Sequence, residues 1–177
     1  MNIKKENLKI LFSEEALQAR IKEMAQTMND LYKGEELTII CVLKGAVMFA
    51  TDLVKYLDMP VQMEFIRLSS YGSAMTTSGK VNAVDIKLPD LNDKNVLIVE
   101  DIVDTGLTAK FLVDFMAINF NVKSLKFCSL LDKKITRKVD IEPDFYGFEV
   151  DDKFVVGYGL DYDGYFRNLP YIAYKAD

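Results

Sequence analysis

Apolar and polar positions along the chain alternate between two periods. Ser13 with Glu14 and Glu15 behind it has the form of a helix N-cap and first turn, and Gly34 is a stop, which predicts a helix from about Glu14 to Tyr32. LTIICVL (37–43) is an unbroken β-branched and apolar run, the pattern of a parallel strand covered on both faces. After Lys44 and Gly45 the stretch AVMFATDLVKYL has helical spacing, and VQMEFIRL (61–68) alternates like a half-buried strand. NVLIVE (95–100) is a second fully apolar strand, and from Thr105 onward Phe111, Leu112, Phe115 and Met116 recur at helical intervals. VKSLKFCSLL (122–131) reads as a further strand, with shorter ones in DFYGFEV and KFVVGYGL.

Strands alternating with helices imply βαβ units and an α/β fold with a mainly parallel central sheet flanked by helices. In such sheets ligands bind beyond the carboxyl ends of the strands. SSYGSAMTTSGK (69–80) breaks the pattern: it is rich in Ser, Thr and Gly, without apolar periodicity, and is expected to be a long exposed loop or hairpin, either a solvated connection or a mobile lid. With 177 residues, no internal repeat and no Pro-rich linker, residues 1–177 are expected to form one domain with a substantial core.

Composition narrows the chemistry. A net charge of -5 and a pI near 4.9 argue against a general nucleic-acid surface. The N-terminus is charged throughout and no apolar run approaches the roughly 20 residues that cross a bilayer, so a cytoplasmic location without membrane contact is expected. Cys41 and Cys128 each sit in an apolar strand-like run and read as small buried hydrophobes. The chain has no histidine, which removes Ser-His-Asp and Cys-His catalysis and leaves acid–base work to carboxylates, Lys, Tyr or Cys.

The chemistry concentrates in VLIVEDIVDTGLTAKF (96–111), where a buried strand meets a helix. Gly106 permits a tight turn, and the Thr105 and Thr108 hydroxyls with the first N–H groups of the helix make a cradle for phosphate. Glu100 and Asp101 would repel that phosphate unless they face another part of the ligand. A phosphorylated sugar resolves the conflict, its hydroxyls or a Mg²⁺ ion meeting the acids. The bland alternative is that Asp104 and Thr105 merely cap the helix. D-T-G also occurs in aspartic proteases, but those are β-rich folds and a helix follows here. P-loop and dinucleotide-binding motifs are absent.

The segment VLIVEDIVDTGLT resembles the ribose-phosphate signature of the type I phosphoribosyltransferases, an apolar strand followed by E-D-x-x-D-T-G-x-T. LKGAVMFATDL, FIRLSSYGS, SLLDKK, PDFYGFEVDDKFVVGYGLDY and YFRNLP resemble, in the same order, stretches of the hypoxanthine-guanine phosphoribosyltransferases. The resemblance implies the type I fold, with a small hood formed by terminal segments. It also implies Mg²⁺-dependent transfer of the 5-phosphoribosyl group from phosphoribosyl pyrophosphate to N9 of hypoxanthine or guanine, giving IMP or GMP and pyrophosphate. Relatives are usually homodimers or homotetramers.

Roles follow from the same resemblance. Asp104 would be the general base taking the N7 proton. Lys133 would donate to the purine O6, with Lys134 as the rival. Phe154 would stack on the purine, and Val155 would meet its edge through the backbone. A core aromatic is the competing reading of Phe154. Glu100, Asp101 and Asp161 would bind metal, the first two alternatively ribose hydroxyls, and Asp163 rivals Asp161. Lys44, Gly45 and Arg167 would contact pyrophosphate, and Ser70 and Tyr71 would belong to the lid. Two positions depart from the family pattern. Leu107 stands where a polar or basic residue is common, and Gly159 stands where alanine is common and is expected to loosen a strand. A regulator that only senses a nucleotide, or a transferase for another base, would share the cradle.

Overall fold

The computed structural model describes residues 7–69, 82–85 and 87–176. Its order is β1 (Leu8–Phe12), α1 (Glu14–Leu31), β2 (Leu37–Leu43), α2 (Val47–Val54), β3 (Val61–Ser69), β4 (Asn82–Asp85), β5 (Asn95–Val103), α3 (Leu107–Asn119), β6 (Ser124–Asp132), β7 (Phe145–Glu149), β8 (Val155–Val156) and β9 (Ile172–Lys175). A six-stranded sheet has the order β4-β3-β2-β5-β6-β7. Five of its strands are parallel and β4 runs antiparallel to β3 at one edge. This is the α/β fold expected from the alternating pattern.

Both faces of the sheet are covered, which is why the central strands read as continuous apolar runs. On β2, Ile39 and Cys41 enter a core with Leu17, Ile21 and Met28 of α1 and Phe49 and Leu53 of α2. Ile40 and Val42 enter the opposite core with Leu112 and Met116 of α3. β5 divides likewise, Leu97 and Val99 to the first core and Val96 and Ile98 to the second. α1 starts where expected because the Ser13 hydroxyl accepts from Ala16 N at 3.3 Å. Arg20 of α1 donates to the Tyr146 and Gly147 carbonyls, both at 2.9 Å, covering the exposed edge of β7.

A separate three-stranded antiparallel sheet, β1-β9-β8, joins the two ends of the chain into a hood. Phe12 of β1 stacks on Phe148 of β7 with ring centroids 4.1 Å apart, tying the hood to the main sheet. The pattern of the first residues concealed β1: LKILF has only five residues and pairs with the distant β9. KFVVGYGL forms a strand over two residues only, because Gly157, Tyr158 and Gly159 all take positive φ and turn the chain back. β5 runs three residues past the expected end at Glu100, so Asp101 too is a strand residue. The lid expected over 69–80 lies outside the described residues from 70 on.

Candidate active site

The carboxyl ends of the parallel strands converge on one edge, and each end there for which the structure describes the following residues delivers a residue singled out in the sequence. β2 leads into Lys44 and Gly45, β5 into Asp104 to Thr108, β6 into Lys133, and β7 into the turn before Phe154. β3 leads toward Ser70 and Tyr71, which lie outside the described residues. This is the edge at which open α/β sheets bind ligands.

The turn that the sequence marks as a candidate anion cradle opens α3. Gly106 is the N-cap of α3 with φ 80° and has no side chain with which to cap it. Thr105 Oγ1 accepts from Leu107 N at 3.4 Å, a loose contact that leaves the first turn available to an anion. Asp104 does not cap the helix, contrary to the bland reading: its carboxylate accepts from the Thr136 hydroxyl, and it is exposed above the edge. Thr108 lies in the first turn of α3, half-buried.

Asp101 faces the hood side of the sheet. A Cβ built on Gly45 would lie 1.6 Å from Asp101 Oδ2, and one built on Gly159 would lie 2.0 Å from the Gly45 carbonyl oxygen. The glycine at 45 therefore makes room for a carboxylate, and the glycine at 159 makes room for the backbone at 45. Gly159 does not loosen a strand, as its sequence context suggested. It lies in a turn with φ 100° and lets the hood segment close on the β2–α2 loop. The Leu43–Lys44 peptide of that loop is cis, and the Lys44 side chain is exposed. Tyr158 fixes the hood segment from the other side, its hydroxyl donating to Asp52 Oδ2 of α2 at 2.5 Å.

Burial pushes the Glu100 carboxyl up to about 8, and the charge of Asp101 adds to the effect. Burial raises the Asp101 carboxyl too, opposed by hydrogen bonds from backbone N–H groups and by the positive charge of Arg167. Val99 and Ile102 pack on one core while Ile98 and Val103 pack on the other, so the alternation of β5 shifts by one residue across the two acids. Asp161 pairs with Arg167 at 2.6 Å and accepts from Gly164 N at 2.7 Å, while Arg167 also donates to the Gly159 carbonyl at 2.6 Å. Asp163, the rival, is exposed in a turn at φ 51°. Among the described residues no three acidic, His or Cys side chains come together as a metal cage. Hard carboxylate oxygens held singly are the donor set of an ion that keeps waters and substrate oxygens, as Mg²⁺ does.

Lys133 and Lys134 separate clearly. Lys133 is buried at 9% exposure, and its ammonium pairs with Asp152 at 2.8 Å on the side of Phe154. Lys134 is exposed and pairs with Glu149 at 2.5 Å. Phe154 is 57% exposed and meets Tyr162 edge-on at 5.8 Å, so it is not a core aromatic. Val155 behind it is buried and paired to β9 opposite Tyr174.

Sequence reasoning missed four residues that hold the site: Asp52, Asp132, Thr136 and Arg137. Asp132 has no exposed surface and pairs with Arg137, whose Nε donates to the Asp104 carbonyl at 3.2 Å. Lys138 N donates to the Thr105 carbonyl at 2.9 Å. The available signal was an acid closing the apolar run SLLD with an arginine five positions on. Such an acid is buried by its strand and needs a cation within reach.

A family model described as phosphoribosyl transferase domain matches residues 7–163. The chain is 46% identical to the hypoxanthine-guanine phosphoribosyltransferase of Aquifex aeolicus, over 99% of this chain and 98% of that protein. It is 44% identical to the enzyme of the same name from Bacillus subtilis, over 93% and 91%. The crystal structure of a hypoxanthine-guanine phosphoribosyltransferase from Bacillus anthracis superposes with a TM-score of 0.89 at 44% identity, covering 95% of this chain and 98% of that one.

Two outcomes follow from the packed acids. Glu100 titrates near 8 in the folded chain against an ordinary carboxylate value of about 4.3 when unfolded, so its favourable contribution is present at low pH and lost as pH rises through 8. In metal-free buffer, Glu100→Gln should raise Tm by about 4 °C or more at pH 9 and much less at pH 5. A mutant-minus-native Tm difference that does not change with pH contradicts the burial argument. Gly45→Ala should cost about 1–3 kcal/mol in urea denaturation, and less in an Asp101→Ala background because the obstructing carboxylate is gone. Equal costs in the two backgrounds would mean that Asp101 is not the obstruction.

Proposed function

The chain belongs to the phosphoribosyltransferase family and is an enzyme of phosphoribosyl transfer, and from that premise we propose that it salvages 6-oxopurines, joining hypoxanthine or guanine to the ribose of phosphoribosyl pyrophosphate. The observation that carries the purine assignment is the pair Lys133 and Phe154. A buried ammonium and an exposed aromatic ring lie on adjoining turns of the same edge. An ammonium there favours a base with an oxygen at C6 over adenine, because it can donate to O6 and cannot accept from an exocyclic amine. The 5-phosphate of the donor is taken by the α3 N-terminus with Thr105, Gly106 and Thr108, across the edge from the lysine.

In the transfer, N9 of the purine bonds to ribose C1 as the C1–oxygen bond to pyrophosphate breaks, and the proton on N7 passes to Asp104. A positioned base of this kind contributes about 10² to 10⁴ in rate. Lys133 stabilises the negative charge that grows on O6 when the N7 proton leaves. Asp152, its partner, keeps the ammonium aimed until the base enters. Lys44, the Gly45 backbone and Arg167 meet the departing pyrophosphate, with Arg167 held in reach by Asp161. Glu100 and Asp101 would meet the ribose hydroxyls or, with Asp161, would hold Mg²⁺, which would supply positive charge to offset the pyrophosphate. Ser70 and Tyr71 would shield the reaction from water. We propose a homodimer or homotetramer, as the family resemblance implies.

A steady-state assay with phosphoribosyl pyrophosphate, Mg²⁺ and each of hypoxanthine, guanine, xanthine and adenine tests the proposal. Hypoxanthine and guanine should turn over with adenine far slower. Asp104→Asn should lower the rate by at least about 10²-fold and Lys133→Met should lower kcat/KM for the purine by about 10-fold or more. Absence of turnover with all four bases, while the donor still binds, would overturn the reading in favour of a nucleotide sensor.

A further inference from the structure

The Thr136 hydroxyl lies between two acceptors. Thr136 closes a one-turn 3-10 helix, Lys134–Thr136, that follows β6. Its Oγ1 is in close contact with Asp104 Oδ1 and lies 3.1 Å from the Lys133 carbonyl oxygen. A hydroxyl has one proton to donate, whereas an ionised carboxylate and a carbonyl can only accept. Thr136 therefore serves one acceptor at a time. With Asp104 ionised, the charge-assisted bond is the stronger, and the proton points to the carboxylate.

Once Asp104 has taken a proton, the order reverses. The carboxylic O–H can donate to Thr136 Oγ1, and the threonine proton turns to the Lys133 carbonyl. No proton moves between the two side chains. The hydroxyl rotates about its C–O bond: it serves the carboxylate while Asp104 is ionised, and the Lys133 carbonyl once Asp104 is protonated and donates to it. Among the described residues Thr136 is the one side chain that donates to the Asp104 carboxylate. Asp104 is otherwise exposed, and an exposed short acid left untethered spends part of its time in rotamers unsuited to proton transfer.

We infer that Thr136 is a positioning residue for Asp104: its hydroxyl holds the carboxylate before proton transfer and accepts from the carboxylic acid after it. The inference rests on Asp104 being the base. It ascribes to one hydroxyl both the aim of that base and the stability of its protonated form. Valine at this position would keep the shape of the side chain and lose both functions, and serine would keep both.

The test compares single-turnover rates and substrate KM values for the native enzyme, Thr136→Ser, Thr136→Val, Asp104→Asn and the double variant Asp104→Asn with Thr136→Val. Thr136→Val should slow the transfer step about 10-fold, the loss expected of one hydrogen bond to a charged group. KM for donor and purine should stay within about 2-fold of native, and Thr136→Ser should recover most of the native rate. In the Asp104→Asn background, Thr136→Val should add less than about 2-fold. A native rate in Thr136→Val, an equal loss in Thr136→Ser, or the same loss in the Asp104→Asn background would each overturn the inference while leaving the base assignment intact. A native transfer rate in Asp104→Asn would overturn the base assignment, and the inference with it.

Discussion

A carboxylate with no exposed surface must find a counter-charge or cost several kcal/mol, and at Asp132 that requirement organises the edge of the sheet. Its partner is Arg137, five residues on, so the chain between them has to curl back over the end of β6. Arg137 also donates to the carbonyls of Val103, Asp104 and Ile141, and Lys138 N donates to the carbonyl of Thr105. The turn from Lys133 to Lys138 thus clasps the loop from Val103 to Thr105. Lys133, Thr136 and Asp104 come together because that clasp exists. The buried pair is better understood as fixing a geometry than as a source of net stability, since removing two charges from water offsets much of their attraction.

A second constraint acts from the hood. Gly159, Gly45 and Asp101 stack backbone on backbone on carboxylate with no room for a side chain at either glycine. The stack sets how closely the segment carrying Asp161 and Arg167 approaches the β2–α2 loop. Tyr158, bonded to Asp52, holds the segment in that approach. Together the two constraints bring to one edge the open first turn of α3, the Lys133 ammonium after β6 and the exposed Phe154 ring after β7. That spacing of chemistry suits a molecule with a phosphate at one end and a purine at the other.

Much of this was legible in the sequence, for reasons that differ by element. LTIICVL and NVLIVE announce buried parallel strands because both faces are covered, and β2 has the predicted bounds. The acids, Gly106 and the threonines were visible because a polar cluster after an apolar strand has few structural uses. β1 escaped notice because five residues carry little periodicity and their partner is more than 150 residues away. Gly159 was misread because a glycine's reason can lie in a neighbour, here Gly45, that only the folded chain supplies. Thr136 and Arg137 carried no motif of their own, and their importance comes from which backbone groups they reach.

The central claim is that one ligand spans this edge, phosphate on the α3 N-terminus and 6-oxopurine between Lys133 and Phe154. The measurement that tests it most directly is a crystal structure of the protein with inosine 5-monophosphate bound. The account predicts phosphate oxygens on the backbone N–H groups of residues 105–108, with the purine O6 within hydrogen-bond distance of Lys133 Nζ and the ring against Phe154. A nucleotide bound with its phosphate elsewhere, or with its base turned away from Lys133, would contradict it.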